Sequence, residues 1–189
     1  MLLKSLRLDR ILSFAPGTKP VALGPLNVLI GPNGSGKSNF IEAIDLLRAA
    51  PKDLLAPIRQ GGGVAEWLWK GEPGARAEIE AVLVYERESD WNLRHRISFT
   101  EVGGRLELVG ERLEDERHAA GPAGPFYSFS DEQGRPTIKL KSGESRELRR
   151  EDINPQQSVL AQRRDPDEYP ELSFVGDRYS GIRLYRGWS

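Results

Sequence analysis

Eight consecutive residues constrain this chain more than any other feature: Gly31-Pro32-Asn33-Gly34-Ser35-Gly36-Lys37-Ser38. They fit Gly-x-x-x-x-Gly-Lys-[Ser/Thr] at every fixed position, a match that a chain of ordinary composition makes by chance roughly once in 100. The flanks are of the required kind. An apolar run (Leu26, Val28, Leu29, Ile30) predicts a buried strand over residues 27–30. Phe40, Ile41, Ile44 and Leu47 predict a helix from about Ser38 to Ala49 or Ala50, where Pro51 stops it. Strand, glycine-rich turn and helix together make a phosphate trap. Small residues let backbone N–H groups turn inward around a polyphosphate, and the helix presents its positive end to the same anion. Lys37 is suited to the β and γ phosphates and the Ser38 hydroxyl to Mg²⁺. The expected ligands are therefore ATP and Mg²⁺, held by residues 31–38 and by Asn39 beside them.

The rest of the composition narrows the class. A length of 189 residues suits one domain that can bury a real core. The net charge of −1 argues against a globally basic nucleic-acid binder, although a local patch remains open. No apolar stretch approaches 18 residues, so no membrane span is expected. The first residues, Met1-Leu2-Leu3-Lys4-Ser5-Leu6-Arg7, set charges inside the apolar positions, unlike a signal peptide. The expected location is the cytoplasm. Absence of cysteine excludes disulfides and thiolate metal sites.

Beyond the first helix the apolar period changes. Asp53-Leu54-Leu55 predicts a short second helix, and Gly61-Gly62-Gly63 a break. Ile79, Ala81, Leu83 and Tyr85 alternate with polar neighbours. So do Leu93, His95, Ile97 and Phe99, against Arg94, Arg96, Ser98 and Thr100. Gly103-Gly104 sits between strand-like runs as a two-residue hairpin turn. Residues 126–129 and 137–140 form a further pair, with Gly121-Pro122-Ala123-Gly124-Pro125 as a loop. Residues 77–140 thus read as an antiparallel meander with one wet face, and residues 148–182 as helical or mixed.

The run from Asn27 to Ile44, with Ser38-Asn39 followed by Phe40-Ile41-Glu42-Ala43-Ile44, resembles the head domain of RecF/SMC-like ABC ATPases. It is similar in particular to the predicted bacterial ATPases related to them and to OLD-family ATPases. Transporter ATPases usually carry Ser/Thr-Thr-Leu after the lysine. Gly61-Gly62-Gly63, Trp67-Leu68-Trp69-Lys70-Gly71 and Ser158-Val159-Leu160-Ala161-Gln162-Arg163 add to the resemblance. It implies an α/β fold: the N-terminal lobe of a P-loop NTPase, with a mixed sheet and an antiparallel β-lobe. It also implies that residues 1–189 are the N-terminal half of one head. Residues 1–60 would be the phosphate-loop core, 61–145 the antiparallel lobe, and 146–189 the Q-loop with the start of a helical lobe. Gln162, 125 residues after Lys37, is the implied Q-loop glutamine and, with Ser38, an implied Mg²⁺ ligand.

In such heads a Leu-Ser-Gly-Gly-like signature, a Walker B strand ending in Asp-Glu and a switch histidine follow the Q-loop. None is found here. The run 81–85 before Glu86 belongs to the meander, 172–175 before Asp177 is too short, and Ser142-Gly143-Glu144 lacks the leading leucine. The resemblance therefore implies an ATP-binding half that hydrolyses poorly alone. Its partner would be a second copy, or a C-terminal half-polypeptide meeting it at the nucleotide site, in DNA maintenance or phage defence. The alternatives are the ATPase portion of an OLD-type nuclease and a nucleotide-responsive assembly module without catalysis.

Other residues read as structural. His95 falls on the apolar side of its strand and His118 in a polar segment. Trp67, Trp69, Trp91 and Trp188 are packing or partner contacts, and residues 111–117 are a charged, exposed strand or turn. Arg146, Arg149, Arg150, Arg163 and Arg164 are candidate DNA contacts against a background of neighbouring acids. Arg59 is a surface arginine.

Overall fold

The computed structural model describes residues 3–85, 91–117, 127–132 and 136–184. One antiparallel sheet organises them. Its strands are β1 (Leu3–Asp9), β2 (Val21–Ala22), β3 (Ala77–Tyr85), β4 (Trp91–Val102), β5 (Arg105–Asp115), β6 (Tyr127–Glu132), β7 (Thr137–Lys139) and β8 (Ser145–Glu147). They lie in the order β2-β1-β3-β4-β5-β6-β7-β8. From β3 onward each strand neighbours the next in sequence, as a meander must. The β4–β5 hairpin turns on Gly103 (φ 58°) and Gly104 (φ 79°), and Val102 pairs with Arg105. Two consecutive positive φ values are what a primed turn requires, and glycine reaches them without a Cβ clash.

Period-2 alternation gives the sheet two unlike faces. Leu6, Leu8, Ile79, Ala81, Leu83, Leu93, Ile97, Phe99 and Leu113 point into the core. Arg7, Glu78, Glu80, Arg94 and Arg96 lie on the other face as cross-strand ion pairs. Arg7 bonds Glu78, and Arg96 Nη2 bonds Glu80 Oε2 at 2.5 Å. Burial alone would raise the Glu80 carboxyl above its ordinary range. The hydrogen bond and charge of Arg96, with the charges of Arg7 and Arg94, overcome that and hold it below.

Helices supply the rest of the core. They are α1 (Lys37–Ala49), α2 (Leu55–Gln60), α3 (Val64–Trp67), α4 (Val159–Gln162) and α5 (Pro170–Ser180). The buried stripe of α1 is Phe40, Ala43, Leu46 and Leu47, at helical spacing. Trp67 is fully enclosed, as its packing role predicts, while Trp69 is half-buried beside Gly71. Residues 172–177 lie inside α5, which removes them as a Walker B strand. No helix among the described residues is long and apolar enough to cross a membrane.

Two expectations require correction. Residues 27–30 do not form a strand. Leu26, Val28, Leu29 and Ile30 are 84%, 72%, 41% and 89% exposed, so the apolar run has the composition of a buried strand without neighbours to bury it. The parallel pairing implied by a mixed sheet is accordingly absent among the described strands, whose pairings are all antiparallel. The second correction concerns 111–117. Glu111, Leu113, Glu114 and Asp115 are buried, because β5 is an interior strand between β4 and β6.

Candidate functional site

The phosphate loop is a tight backbone bowl opening onto α1. Gly34 (φ 81°) and Gly36 (φ 86°) adopt left-handed conformations, and Ser35 N–H donates to the Pro32 carbonyl at 3.3 Å. Gly36 is also the N-cap of α1, so no side chain caps the helix. There is no acidic residue in the first turn either. The first N–H groups of a helix have no intrahelical partner. Left uncapped and unopposed by a carboxylate, they present a positive end to an anion. A side chain at Gly36 would stand 3.1 Å from Ser13 Oγ, so the bowl also needs glycine for space.

Lys37 points back into this bowl. Its Nζ donates to the carbonyls of Gly31 (2.8 Å) and Pro32 (2.7 Å) and to Ser35 Oγ (3.2 Å). Ser38 is exposed at the first turn and Asn39 is half-buried beside it. Lys37 and Ser38 are thus consecutive residues at the start of one helix, the ammonium turned back onto the loop and Ser38 exposed.

Gln162 sits at the last position of α4. Its Oε1 accepts from Asn154 N–H at 2.9 Å, and its Nε2 donates to the carbonyls of Gln157 (2.7 Å) and Asn154 (3.2 Å). The amide is folded onto the 154–157 loop, while Lys37 is folded onto the phosphate loop.

Behind α4 lies a buried polar cluster that sequence reasoning missed. Glu111 Oε1 accepts from Ser158 Oγ at 2.5 Å, and Oε2 accepts from Val159 N–H at 2.7 Å. His95, 0% exposed, has Nε2 3.0 Å from Glu111 Oε1 and Nδ1 3.1 Å from the Tyr179 hydroxyl. Burial first, and the Glu111 charge second, raise the Tyr179 phenol well above its usual range. A protonated phenol and an accepting carboxylate are both satisfied by the Nε2–H tautomer of His95, which accepts from Tyr179 at Nδ1 and donates to Glu111 at Nε2. The reading of His95 as structural holds, with two hydrogen bonds rather than apolar packing alone. The available clue was phase: Glu111 is in register with inward-facing Leu113, and His95 with Ile97.

The arginines proposed for DNA are dispersed in role. Arg149 pairs with Glu151 at 3.3 Å, Arg163 donates to the Gln162 carbonyl, and Arg146 and Arg164 are exposed. Arg59 pairs with Asp53 at 2.5 Å. His118, Gly121–Pro125, Glu86 and Trp188 lie outside the described residues, as do the side chains of Trp91 and Arg150.

The described residues form an α/β domain in which a glycine-rich loop opens onto the start of α1. Over residues 26–186 the sequence matches the family described as "AAA domain, putative AbiEii toxin, Type IV TA system", and the chain belongs to it. It is also 30% identical, over 115 residues, to the chromosome partition protein Smc of Halothermothrix orenii (strain H 168). That alignment covers 59% of this chain and 9% of Smc, so the chain spans a small part of its relative. A solved structure from work on ATP-driven dimerization and DNA-stimulated activation of SMC ATPases aligns with a TM-score of 0.41 at 21% identity. The alignment covers 56% of this chain and 72% of that one. The likeness to RecF/SMC-like heads expected from the sequence holds.

Proposed function

We propose that this chain binds ATP-Mg²⁺ as the N-terminal half of an SMC/RecF-like ATPase head. The observation that carries the reading is the uncapped, acid-free start of α1, with Lys37 turned into the loop before it. A triphosphate fits this donor set. Residues 31–39 would hold the nucleotide, with Lys37 replacing its loop carbonyls by phosphate oxygens. Ser38 and Gln162 would hold Mg²⁺, which would offset phosphate charge. For that role Gln162 Oε1 must leave Asn154.

Hydrolysis needs more than these residues supply. A water-activating acid and a signature motif would come from another segment or a second copy meeting the nucleotide site. The exposed run Leu26, Val28, Leu29 and Ile30 supports this, since apolar residues of strand composition gain most when a neighbouring strand covers them. We assign residues 1–60 to the phosphate-loop core, 61–145 to the antiparallel lobe and 146–189 to the Q-loop region. The name of the Smc relative, a chromosome partition protein, supports a role in DNA maintenance; the cytoplasm is the location proposed with it, and phage defence is the second role proposed.

The test is calorimetric titration of the chain with ATP, with and without Mg²⁺, beside a hydrolysis assay. Mg²⁺-enhanced ATP binding that is lost in Lys37→Ala, with turnover well below about 1 per second, is the expected outcome. Turnover at or above that rate by the chain alone would overturn the half-site reading.

A further inference from the structure

Between β1 and β2 the chain makes an excursion over residues 10–17 whose backbone is conformationally costly. Arg10 (φ 52°) and Leu12 (φ 53°) are left-handed although both carry side chains, and no other non-glycine residue among those described shares that conformation. A Cβ in that region crowds the following carbonyl oxygen. Ile11 N–H donates to the Phe14 carbonyl at 3.2 Å and Phe14 N–H to the Ile11 carbonyl at 2.8 Å, which makes Leu12-Ser13 the tip of a two-residue hairpin. A first tip position with positive φ ordinarily goes to glycine or asparagine. Leucine holds it here because the turn is fixed from outside. Leu12 N–H donates to the Trp67 carbonyl at 2.8 Å, Trp69 N–H to the Arg10 carbonyl at 3.1 Å, and Gly17 N–H to Asp9 Oδ2 at 2.8 Å. Strain that the surroundings fix in this way collects at sites that meet ligands.

The tip stands at the start of α1. A Cβ at Gly36, the N-cap, would lie 3.1 Å from Ser13 Oγ and 3.7 Å from Phe14 Cζ. The Phe14 ring is set against Phe40 of the same helix, with ring centroids 6.4 Å apart. The backbone bonds to residues 67 and 69 and this aromatic contact together fix Ser13 relative to the first N–H groups of α1. Ser13 is exposed, and its hydroxyl has no hydrogen-bond partner among the described residues. A donor that the fold leaves unused therefore stands beside a helix end that lacks both a side-chain cap and a carboxylate. An anion over that end would meet a hydroxyl able to donate to it.

We propose that Ser13 contacts the phosphate chain of bound ATP: its hydroxyl donates to a phosphate oxygen at the start of α1, and the Leu12-Ser13 tip is a wall of the site that the phosphate loop does not supply. This rests on the reading that the phosphate loop holds the triphosphate, and it adds a contact from outside that loop. The left-handed conformation of Leu12 sets the direction in which Ser13 leaves the turn, so the costly backbone and the free hydroxyl belong to one device.

The test compares the whole chain with Ser13→Ala, Ser13→Thr and Lys37→Ala. Each is titrated with ATP and with inorganic tripolyphosphate, both in the presence of Mg²⁺, and thermal unfolding checks the fold. Ser13→Ala should weaken ATP and tripolyphosphate by the same factor, roughly tenfold, as loss of a hydrogen bond to a charged acceptor does. Ser13→Thr keeps the hydroxyl and should stay within about twofold of the parent for both ligands. The thermal midpoint of Ser13→Ala should not move, because the hydroxyl bonds nothing in the described fold.

If Lys37→Ala loses ATP and Ser13→Ala binds both ligands as the parent does, the proposal is overturned and the phosphate-loop reading stands. A loss confined to ATP, with tripolyphosphate unaffected, would place the hydroxyl on the nucleoside and overturn the phosphate contact. If Lys37→Ala binds ATP as tightly as the parent, the phosphate-loop reading falls and this proposal falls with it. Should Ser13→Ala lower the midpoint, Ser13→Thr decides: parental affinity for both ligands supports the contact, and a loss as large as that of Ser13→Ala overturns it.

Discussion

Lys37 Nζ lies 2.7 Å from the Pro32 carbonyl oxygen. The ammonium thus already donates to a loop carbonyl, an acceptor role that a phosphate oxygen can take over. Exchanging carbonyls for phosphate replaces a charge–dipole pair by one between opposite charges, whose attraction is larger.

Lys37→Ala removes this exchange. The loss corresponds to about 1.5–3 kcal/mol of binding, or roughly ten- to 150-fold in ATP affinity. Titration of the variant with ATP-Mg²⁺ measures it. Lys37 is half-buried and bonded only to its own loop in the described contacts, so folding stability should move by no more than about 0.5 kcal/mol. Unchanged ATP affinity would remove the phosphate loop as the binding site.

The pairing of Arg96 with Glu80 makes a prediction about pH. The folded state holds the Glu80 carboxyl below its ordinary range. The unfolded chain therefore takes up that proton first as pH falls. The stabilisation is full above the unfolded value of about 4.3 and is lost as pH falls through the folded value. Arg96→Ala should cost about 1–2 kcal/mol near neutral pH, and the gap from the parent should shrink in acid. Urea unfolding at a series of pH values checks this. A gap that stays constant into acid would show that Arg96 acts through packing alone.

Local structure was legible where neighbouring residues decide it. Gly103-Gly104 announced its hairpin because the turn needs two positive φ values and little else. The start of α1 followed from Gly36-Lys37-Ser38 and its end from Pro51. Non-local structure was less legible. Residues 27–30 carry strand composition, but a strand exists only by pairing, and no partner is supplied among the described residues. Glu111 was hidden by the charge density around it, although its phase with Leu113 placed it inside. Gln162 was nominated through family likeness, and nothing in its local sequence showed that its amide closes the 154–157 loop.

Trp67 offers a test of the packing beneath the phosphate loop. It is 2% exposed, and its carbonyl accepts from Leu12 N–H at 2.8 Å, close to Ser13 and Gly36. Trp67→Ala should cost about 3–5 kcal/mol by chemical denaturation. Because the backbone bond survives, a folded fraction should still bind ATP. A cost under about 1 kcal/mol would mean that the indole is not core.

The exposed run before the loop separates a core strand from an interface. Leu26 and Ile30 are 84% and 89% exposed and touch little that folding buries. Replacing both by serine should leave the chain's denaturant midpoint within about 0.5 kcal/mol of the parent, because almost no apolar area is removed from the folded core. The same change should lower self-association, seen by light scattering, since contiguous exposed apolar patches drive it. ATP affinity should persist, as neither side chain reaches the donors of the bowl. If these residues were instead packed in a central strand, the double substitution would cost several kcal/mol, about 2 or more for each large apolar side chain lost. A large drop in the midpoint would therefore restore the buried strand, and an unchanged midpoint with less self-association would establish the run as a surface made to be covered.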